Sequence, residues 1–112
     1  MTHKEEVKRS LKEASLYLEM RGYNIQELNW SLGKNSIDII ASKNDQINFI
    51  KVLKTYNDKE DYYLNLDIIN SNIKHPIERW LKINKWQGSY KCLVVTLDEG
   101  MSILGFNEIL ID

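Results

Sequence analysis

The chain has 112 residues, 43% of them hydrophobic, which is enough for one buried core and too little for two ordinary domains. Its 15 basic and 16 acidic residues give a net charge of -1, which excludes the strongly basic field of a dedicated polyanion-binding domain, so nucleic-acid contacts would need a local patch. No apolar run is long enough for a membrane span, and the charged start MTHKEEVKRS lacks the apolar stretch of a secretory signal. We therefore expect a single domain over residues 1–112, located in the cytoplasm and without a membrane partner.

An amphipathic helix is predicted over Thr2–Arg21. Thr2 followed by Glu5 matches a capping box, in which a hydroxyl and a carboxylate satisfy free amides at a helix start. Gly22 stands where a left-handed C-terminal cap is expected. Apolar residues recur at helical spacing between these ends, at Val7, Leu11, Ala14, Leu18 and Met20.

Three strands should follow as antiparallel neighbours. The segments YNIQELNW, SIDIIAS and QINFIKVLK are rich in strand-forming residues, and the turn formers SLGKN and KNDQ connect them. Isoleucine and phenylalanine leave little polar alternation in the second and third segments. Both faces of these strands should therefore be covered.

The second half of the chain predicts a helix and two strands. Residues 55–71 mix turn formers with aromatic and aliphatic residues, and a short helix is predicted there. Pro76 suits the first turn of a longer helix, and YKCLVVTLDEGMSILGF predicts two strands around an Asp-Glu-Gly turn, with NEILID as a short closing segment. This order predicts an α/β domain with a mixed central β-sheet flanked by helices. The predicted packing stripe of the longer helix is Ile77, Trp80, Leu81 and Ile83.

The order of elements, with YLEMRGYNIQELNW, IDIIA and INFIKV, resembles the restriction-endonuclease-like superfamily, and within it archaeal Holliday junction resolvases and the small bacterial YraN-like proteins. The resemblance implies a three-layer domain in which a helix Glu, a strand Asp and a Glu-x-Lys pair surround a divalent metal ion. Asp38 falls on the family Asp. The other three positions fall on Leu11, Lys51 and Leu53, so Asp38 is the only family catalytic position retained and is vestigial.

An ammonium group at position 51 works against a metal site. Mg²⁺ prefers oxygen ligands, and metal-dependent phosphodiester hydrolysis needs the ion to polarise the phosphate and activate water. An acid between isoleucines in a covered strand also needs a partner, because burying an unpaired charge is costly. We expect an Asp38–Lys51 ion pair where the family holds its metal, and no metal ion or cofactor.

The leading hypothesis is a catalytically inactive, Holliday junction resolvase-like protein that acts as a nucleic-acid-binding or scaffolding module in DNA repair and recombination. Resolvase relatives work as dimers, so the resemblance implies a homodimer or docking on a DNA-processing protein. The single cysteine, Cys92, lies in an apolar run and should pack as a small hydrophobic residue. The candidate nucleic-acid contacts are Lys34, Lys43, Lys51, Lys54 and Arg79.

Two rival interpretations stay open. A metal-dependent DNA endonuclease with a migrated site would use Asp38, Glu27 and Lys54 with Mg²⁺ or Mn²⁺, although strand alternation should point Lys54 away from the face of Lys51. A protein-interaction subunit with no nucleic-acid role is the other. Such a subunit would bind its partner through an aromatic surface formed by Tyr62, Tyr63, Trp80 and Trp86. The same four side chains could equally pack the helices onto the sheet.

Overall fold

The computed structural model describes residues 2–55 and 72–110. Along this part of the chain the order is helix, three strands, helix and two strands, as predicted. The short helix predicted within residues 55–71 lies outside the described residues, apart from Thr55. The elements are α1 (His3–Met20), β1 (Asn24–Leu32), β2 (Asn35–Lys43), β3 (Gln46–Lys54), α2 (residues 72–83), β4 (Tyr90–Leu97) and β5 (Ile103–Ile109).

The strands form one mixed sheet with the order β1-β2-β3-β4-β5. The first three strands are antiparallel neighbours, as expected, β3 and β4 are parallel, and β4 and β5 are antiparallel. Asn44 and Asp45 make the tight β2–β3 turn with φ angles of 52° and 61°, the backbone conformation that suits a two-residue hairpin. The parallel pairing needs a crossover connection, and α2 lies on it.

The sheet has a hydrophobic cluster on each face, which confirms that β2 and β3 are covered on both sides. Successive residues of β3 serve different clusters, because Ile50 packs towards α1 and Phe49 towards α2. The α1 cluster contains Leu11, Ala14, Leu18, Ile39, Ala41, Ile50, Leu93, Val95, Leu97 and Met101. The α2 cluster contains Ile37, Ile40, Ile47, Phe49, Ile73, Ile77, Trp80 and Cys92.

The ends of α1 are capped as the sequence predicts. The Thr2 hydroxyl accepts a hydrogen bond from the Glu5 amide at 3.2 Å. At the other end Arg21 is the C-cap, and Gly22 follows with a φ of 90°, where a side chain would be strained. None of the described helices is both long enough and apolar enough to cross a lipid bilayer.

The start of α2 differs from the prediction. Residues 72–75 are already helical, so Pro76 lies inside the helix and not at its beginning. Because proline has no amide N–H, the Asn72 carbonyl oxygen receives no intrahelical hydrogen bond from position 76. The longer helix adds buried Ile73 to the packing stripe, whereas Ile83, predicted to belong to it, is 52% exposed.

The closing segment NEILID is not separate from the last strand. Residues 107–109 continue β5, and Ile109 pairs with Cys92 of β4. The prediction ended the strand at Phe106 because polar Asn107 and Glu108 interrupt the apolar pattern. Both residues are exposed on β5, which is an edge strand whose polar side chains can reach solvent.

Two of the aromatic residues pack the sheet. Trp80 is buried in the α2 cluster, and Trp86 is partly buried against it. Tyr62 and Tyr63 lie outside the described residues. In the described part of the chain, these tryptophans therefore serve as packing residues.

Candidate functional site

Asp38 lies where β2 and β3 part. The backbone pairing of these two strands ends at Ile39 and Ile50. Beyond that point β2 continues beside β1 and β3 continues beside β4. The Asp38 carboxylate bridges the gap, since its Oδ2 accepts a hydrogen bond from the Val52 amide at 2.8 Å.

The same carboxylate oxygen pairs with Lys51. The distance from Lys51 Nζ to Asp38 Oδ2 is 3.3 Å, and the two side chains are 39% and 22% exposed. The ion pair expected from the sequence is therefore present. Because Lys51 is more than one-third exposed, its ammonium group can be reached from solvent while it neutralises the acid.

A groove opens beside this pair, between the N-terminal half of α1 and the ends of the two strands. Its volume is about 320 Å³. Leu11, the position that the resemblance gives to the helix Glu, lines it, whereas Leu53 does not. The groove, named here the fork groove, is lined by His3, Glu6, Val7, Ser10, Leu11, Asp38, Lys51, Val52 and Lys54.

Lys54 also lines the fork groove, although strand alternation directs it away from the face of Lys51. Lys54 and Lys51 leave β3 on different sides, yet both line the groove, because it opens at the edge where β2 has parted from β3. The ammonium group of Lys54 is paired with the carboxylate of Glu6, and both side chains are largely buried. The groove thus holds two lysines and two acids.

Glu6 is the site residue that sequence reasoning missed. It lies on the helix stripe that continues through Ser10, Ala14 and Leu18 at intervals of four residues. An acid on a stripe that ends in fully buried Leu18 must face the sheet or its edge. That spacing was the available signal.

Glu27 does not join the groove. Its Oε2 accepts a hydrogen bond from Trp80 Nε1 at 2.8 Å, which ties β1 to α2. The migrated site proposed from Asp38, Glu27 and Lys54 is therefore not assembled in the described residues. Glu27 instead helps to hold α2 in place.

The other candidate nucleic-acid contacts are spread over the molecule. Lys34 lies in the β1–β2 turn, at the same end of the sheet as Asp38, and Arg79 is exposed on α2. Lys43 lies at the opposite end of β2, where Nζ donates to the Arg21 carbonyl at 2.8 Å and lies 4.7 Å from the centre of the Tyr23 ring. One surface therefore cannot contain all of these residues.

The residues at the family positions do not fit a magnesium ion. Of the four positions only Asp38 offers oxygen, and the contacts to one of its oxygens come from an ammonium group and an amide. Mg²⁺ needs oxygen ligands in near-octahedral geometry, which leucine and lysine do not supply. In residues 2–55 and 72–110, three or more His, Cys, Asp or Glu side chains do not come together as a metal-binding group.

Cys92 is not available as a nucleophile. It is 2% exposed in the α2 cluster, which confirms the prediction that it packs as a small hydrophobic residue. Burial raises the pKa of the thiol from 9.0 to about 12, so the reactive thiolate is scarce at neutral pH.

Comparison with known proteins identifies the family. No protein-family model matches the chain. The chain is 30% identical over 89 residues to a UPF0102 protein of Cytophaga hutchinsonii, and the match covers 76% of this chain and 77% of that relative. The chain belongs to the UPF0102 family. UPF0102 proteins are the YraN-like group of restriction-endonuclease-like proteins, which confirms that part of the sequence resemblance.

Membership of UPF0102 agrees with the architecture. The mixed five-stranded sheet with two described helices is compatible with a nuclease-like fold. The fork groove contains three of the four positions at which the resemblance implies metal-site residues, since Leu11, Asp38 and Lys51 all line it.

Proposed function

We propose that this UPF0102 protein is a catalytically silent nuclease-like protein, with a three-layer domain, that binds nucleic acid in the fork groove and serves as a scaffold in DNA repair or recombination. The observation that carries the proposal is the contact of Lys51 with Asp38 at 3.3 Å. It puts a fixed positive charge at a position where the family has a carboxylate.

In this proposal, the contact between Lys51 and Asp38 is the reason that the protein does not hydrolyse DNA. A divalent cation at Asp38 would have to displace the ammonium group and then remain beside it, because Lys51 is anchored one residue beyond the last β2–β3 pair, Ile39 and Ile50. Like charges at close range repel, and the penalty grows where solvent is partly excluded. Without a metal ion, the groove lacks the usual means of activating water and polarising a phosphate.

The same ammonium group supports binding. An ammonium has three donors, and Lys51 is exposed enough to offer some of them to a phosphate of the nucleic-acid backbone. Two acids balance the two lysines of the groove, so binding should be weak and strongly dependent on salt. Lys34 lies at the same end of the sheet and could extend the contact.

Cleavage assays test the silent part of the proposal. Purified protein is incubated with branched, duplex and single-stranded DNA in Mg²⁺ or Mn²⁺, and Asp38→Ala serves as the control for contaminating nucleases. We expect no cutting that depends on Asp38. Asp38-dependent cutting would overturn the proposal.

A salt series tests the binding part. We expect Lys51→Gln to weaken DNA binding and to lower the slope of log K against log salt by about 1, the value for one lost phosphate contact. Lys82→Gln, on the exposed side of α2, is the matched control and should keep the slope. Binding that shows no dependence on salt or on Lys51 would favour a protein-interaction subunit instead.

A second candidate function is metal-dependent cleavage from a rearranged site. The observation that favours it is the presence of Glu6 in the same groove as Asp38. Both acids would first have to release their lysine partners. The cleavage assay decides between the candidates when Glu6→Gln is added, because only the rearranged site needs that carboxylate.

We also propose self-association or docking on a DNA-processing protein, on the resemblance to dimeric resolvases. Sedimentation equilibrium over a range of protein concentrations tests self-association. A monomer at all concentrations would leave only the docking form of the proposal.

A further inference from the structure

A second polar pocket lies on the α1 face, at the opposite end of the sheet from the fork groove. Its volume is about 330 Å³. Asn48 of β3 lies between its strand partners Ala41 of β2 and Lys91 of β4. Two positions further along the β2–β3 hairpin, Lys43 pairs with Gln46. The side chains that matter for its chemistry are Tyr23, Lys43, Gln46, Asn48, Lys91 and Glu108.

Two ammonium groups flank the pocket. Lys43 is held in place, because it donates to the Arg21 carbonyl at 2.8 Å and lies over the Tyr23 ring. Each ammonium has three donors, so this carbonyl uses one of them. Lys91 Nζ lies 3.5 Å from Glu108 Oε1, and both of these side chains are nearly half exposed. Two cations against one carboxylate give the pocket a positive balance.

Asn48 forms the floor of the pocket. The residue is 2% exposed, and its Nδ2 lies 3.4 Å from both the Ala41 and the Gln46 carbonyl oxygens, which is long for a hydrogen bond. Its carboxamide oxygen Oδ1 accepts no hydrogen bond from residues 2–55 or 72–110. This oxygen is still reached by solvent, because within residues 2–55 and 72–110 Thr96 Oγ1 is the fully buried side-chain oxygen that lacks a partner. The floor therefore presents an acceptor between two cationic walls.

We propose that this pocket binds a nucleotide unit. Its phosphate lies against Lys43 and Lys91, and an N–H or O–H of its base or sugar donates to Asn48 Oδ1. Lysine is a common phosphate ligand, and a pocket of this size matches the lower end of small-molecule sites, which begin at about 300 Å³. An oxyanion without a donor would make no use of the Asn48 acceptor, and an apolar molecule would leave both lysines unused.

The same chemistry is offered by a free mononucleotide and by one residue of a single-stranded nucleic acid. The inference does not depend on the fork groove, because the pocket begins at Gln46 and the groove at Lys51, at opposite ends of β3. A negative binding result at one site therefore does not count against binding at the other site.

The test is an NMR titration of ¹⁵N-labelled full-length protein, with AMP, sulfate and a single-stranded adenine oligonucleotide as separate probes. We expect AMP or the oligonucleotide to shift the Asn48 side-chain amide and the backbone amides of residues 43–48 and 91. Sulfate, which has no donor, should bind at least about tenfold more weakly. Shifts from the oligonucleotide alone would identify nucleic acid as the source, and shifts from AMP would show that one nucleotide is sufficient.

Variants keep the test specific. Asn48→Asp, Lys43→Gln and Lys91→Gln should each weaken binding by about tenfold or more, which corresponds to about 1.4 kcal/mol. Lys82→Gln should leave it unchanged. Lys91 is on the surface, so Lys91→Gln remains informative if Asn48→Asp fails to fold. The proposal is overturned if neither nucleotide probe shifts these signals at millimolar concentration, or if the Lys91→Gln variant binds as tightly as the native protein.

Discussion

A single carboxylate oxygen decides the character of the fork groove. Asp38 Oδ2 receives the Lys51 ammonium and the Val52 amide together, so the side chain acts as a structural bridge between parting strands. The two contacts differ in the free energy that each contributes to stability. A partly exposed ion pair is worth about 0–1 kcal/mol, whereas a hydrogen bond to a charged group is worth about 1.5–3 kcal/mol. The amide contact therefore dominates the structural role of Asp38.

Replacing Lys51 by glutamate should return metal affinity to the groove. Lys51→Glu removes the ammonium and puts a second carboxylate beside Asp38, the combination of ligands that Mg²⁺ and Mn²⁺ favour. We expect Mn²⁺ to bind at least about tenfold more tightly than to the native protein, a gain of about 1.4 kcal/mol. Isothermal titration calorimetry measures it.

The control for this variant is Lys82→Glu, which makes the same charge change on the exposed side of α2. It should bind Mn²⁺ no better than the native protein. Equal affinities in both variants would show that general charge, and not the groove, attracts the ion.

Cys92 should give the folded protein a pH-dependent stability at high pH. The folded pKa of about 12 lies above the unfolded value of 9.0, so the unfolded state loses the proton first as pH rises. The contribution of the neutral thiol to the free energy of unfolding is therefore complete below pH 9. It is lost between pH 9 and 12, at about 1 kcal/mol per pH unit. Urea unfolding across this pH range measures it.

A matched variant separates the effect of the thiol from all other effects of high pH. Cys92→Val keeps an apolar side chain of similar size and has no titrating group. The free energy of unfolding should fall less steeply with pH in this variant. Parallel curves for the two proteins would contradict the assignment.

At the scale of elements, one hydrogen bond ties α2 to the edge of the sheet. Trp80 Nε1 donates to Glu27, and the indole ring packs against Phe49 with ring centres 5.4 Å apart. The sequence predicted the packing of Trp80, whereas it offered Glu27 as a candidate only in the rival interpretation of a migrated catalytic site. The misassignment has a physical cause, because spacing along the chain does not show which helix returns over β1.

The Glu27 contact makes a prediction about stability. Glu27→Leu leaves the buried indole N–H without its acceptor and should lower the free energy of unfolding by about 1–3 kcal/mol. Glu27→Gln keeps an acceptor oxygen and should cost clearly less. Urea unfolding followed by far-UV circular dichroism compares the two, and equal losses would show that the hydrogen bond is unimportant.

The start of α2 and the end of β5 show the limits of pattern reading at this scale. Pro76 is a strong local signal, yet residues 72–75 before it are already helical and Ile73 is buried. Asn107 and Glu108 break the apolar pattern, yet β4 offers them backbone partners. In both places tertiary packing outweighs local preference, which a single sequence does not record. By contrast, the caps of α1 and the β2–β3 hairpin rest on local chemistry and were predicted correctly.

The whole molecule is organised around one sheet with a cluster on each side. The chain's three tryptophans, Trp30, Trp80 and Trp86, all pack in or against the α2 cluster. Tryptophan fluorescence therefore reports on one face alone, while α1 and its cluster lie on the other. The Asp38–Lys51 pair and the antiparallel order of β1, β2 and β3 could be predicted because they follow from neighbouring strands, whereas Glu6 reaches the groove through helix placement, which the sequence states less directly.

Because both clusters share the strands β2, β3 and β4, they should unfold together. Leu18→Ala truncates a fully buried side chain of the α1 cluster and should cost about 2–5 kcal/mol. We expect the tryptophan-reported urea transition, on the opposite face, to move by the same amount as the far-UV signal. Leu16→Ala, 47% exposed on the same helix, should change stability by less than about 0.5 kcal/mol. A tryptophan transition unmoved by Leu18→Ala would mean that the faces unfold separately.

The parting of β2 and β3 beyond Ile39 and Ile50 also bears on how such a protein can change over generations. Its aperture is shaped by two main chains that follow different partners, with the Asp38 carboxylate bridging them. The side chain at position 51 does not join the two main chains, so either a base or an acid can stand there while the surrounding architecture persists. The fork groove can therefore lose one catalytic or binding activity and gain another while the fold stays the same.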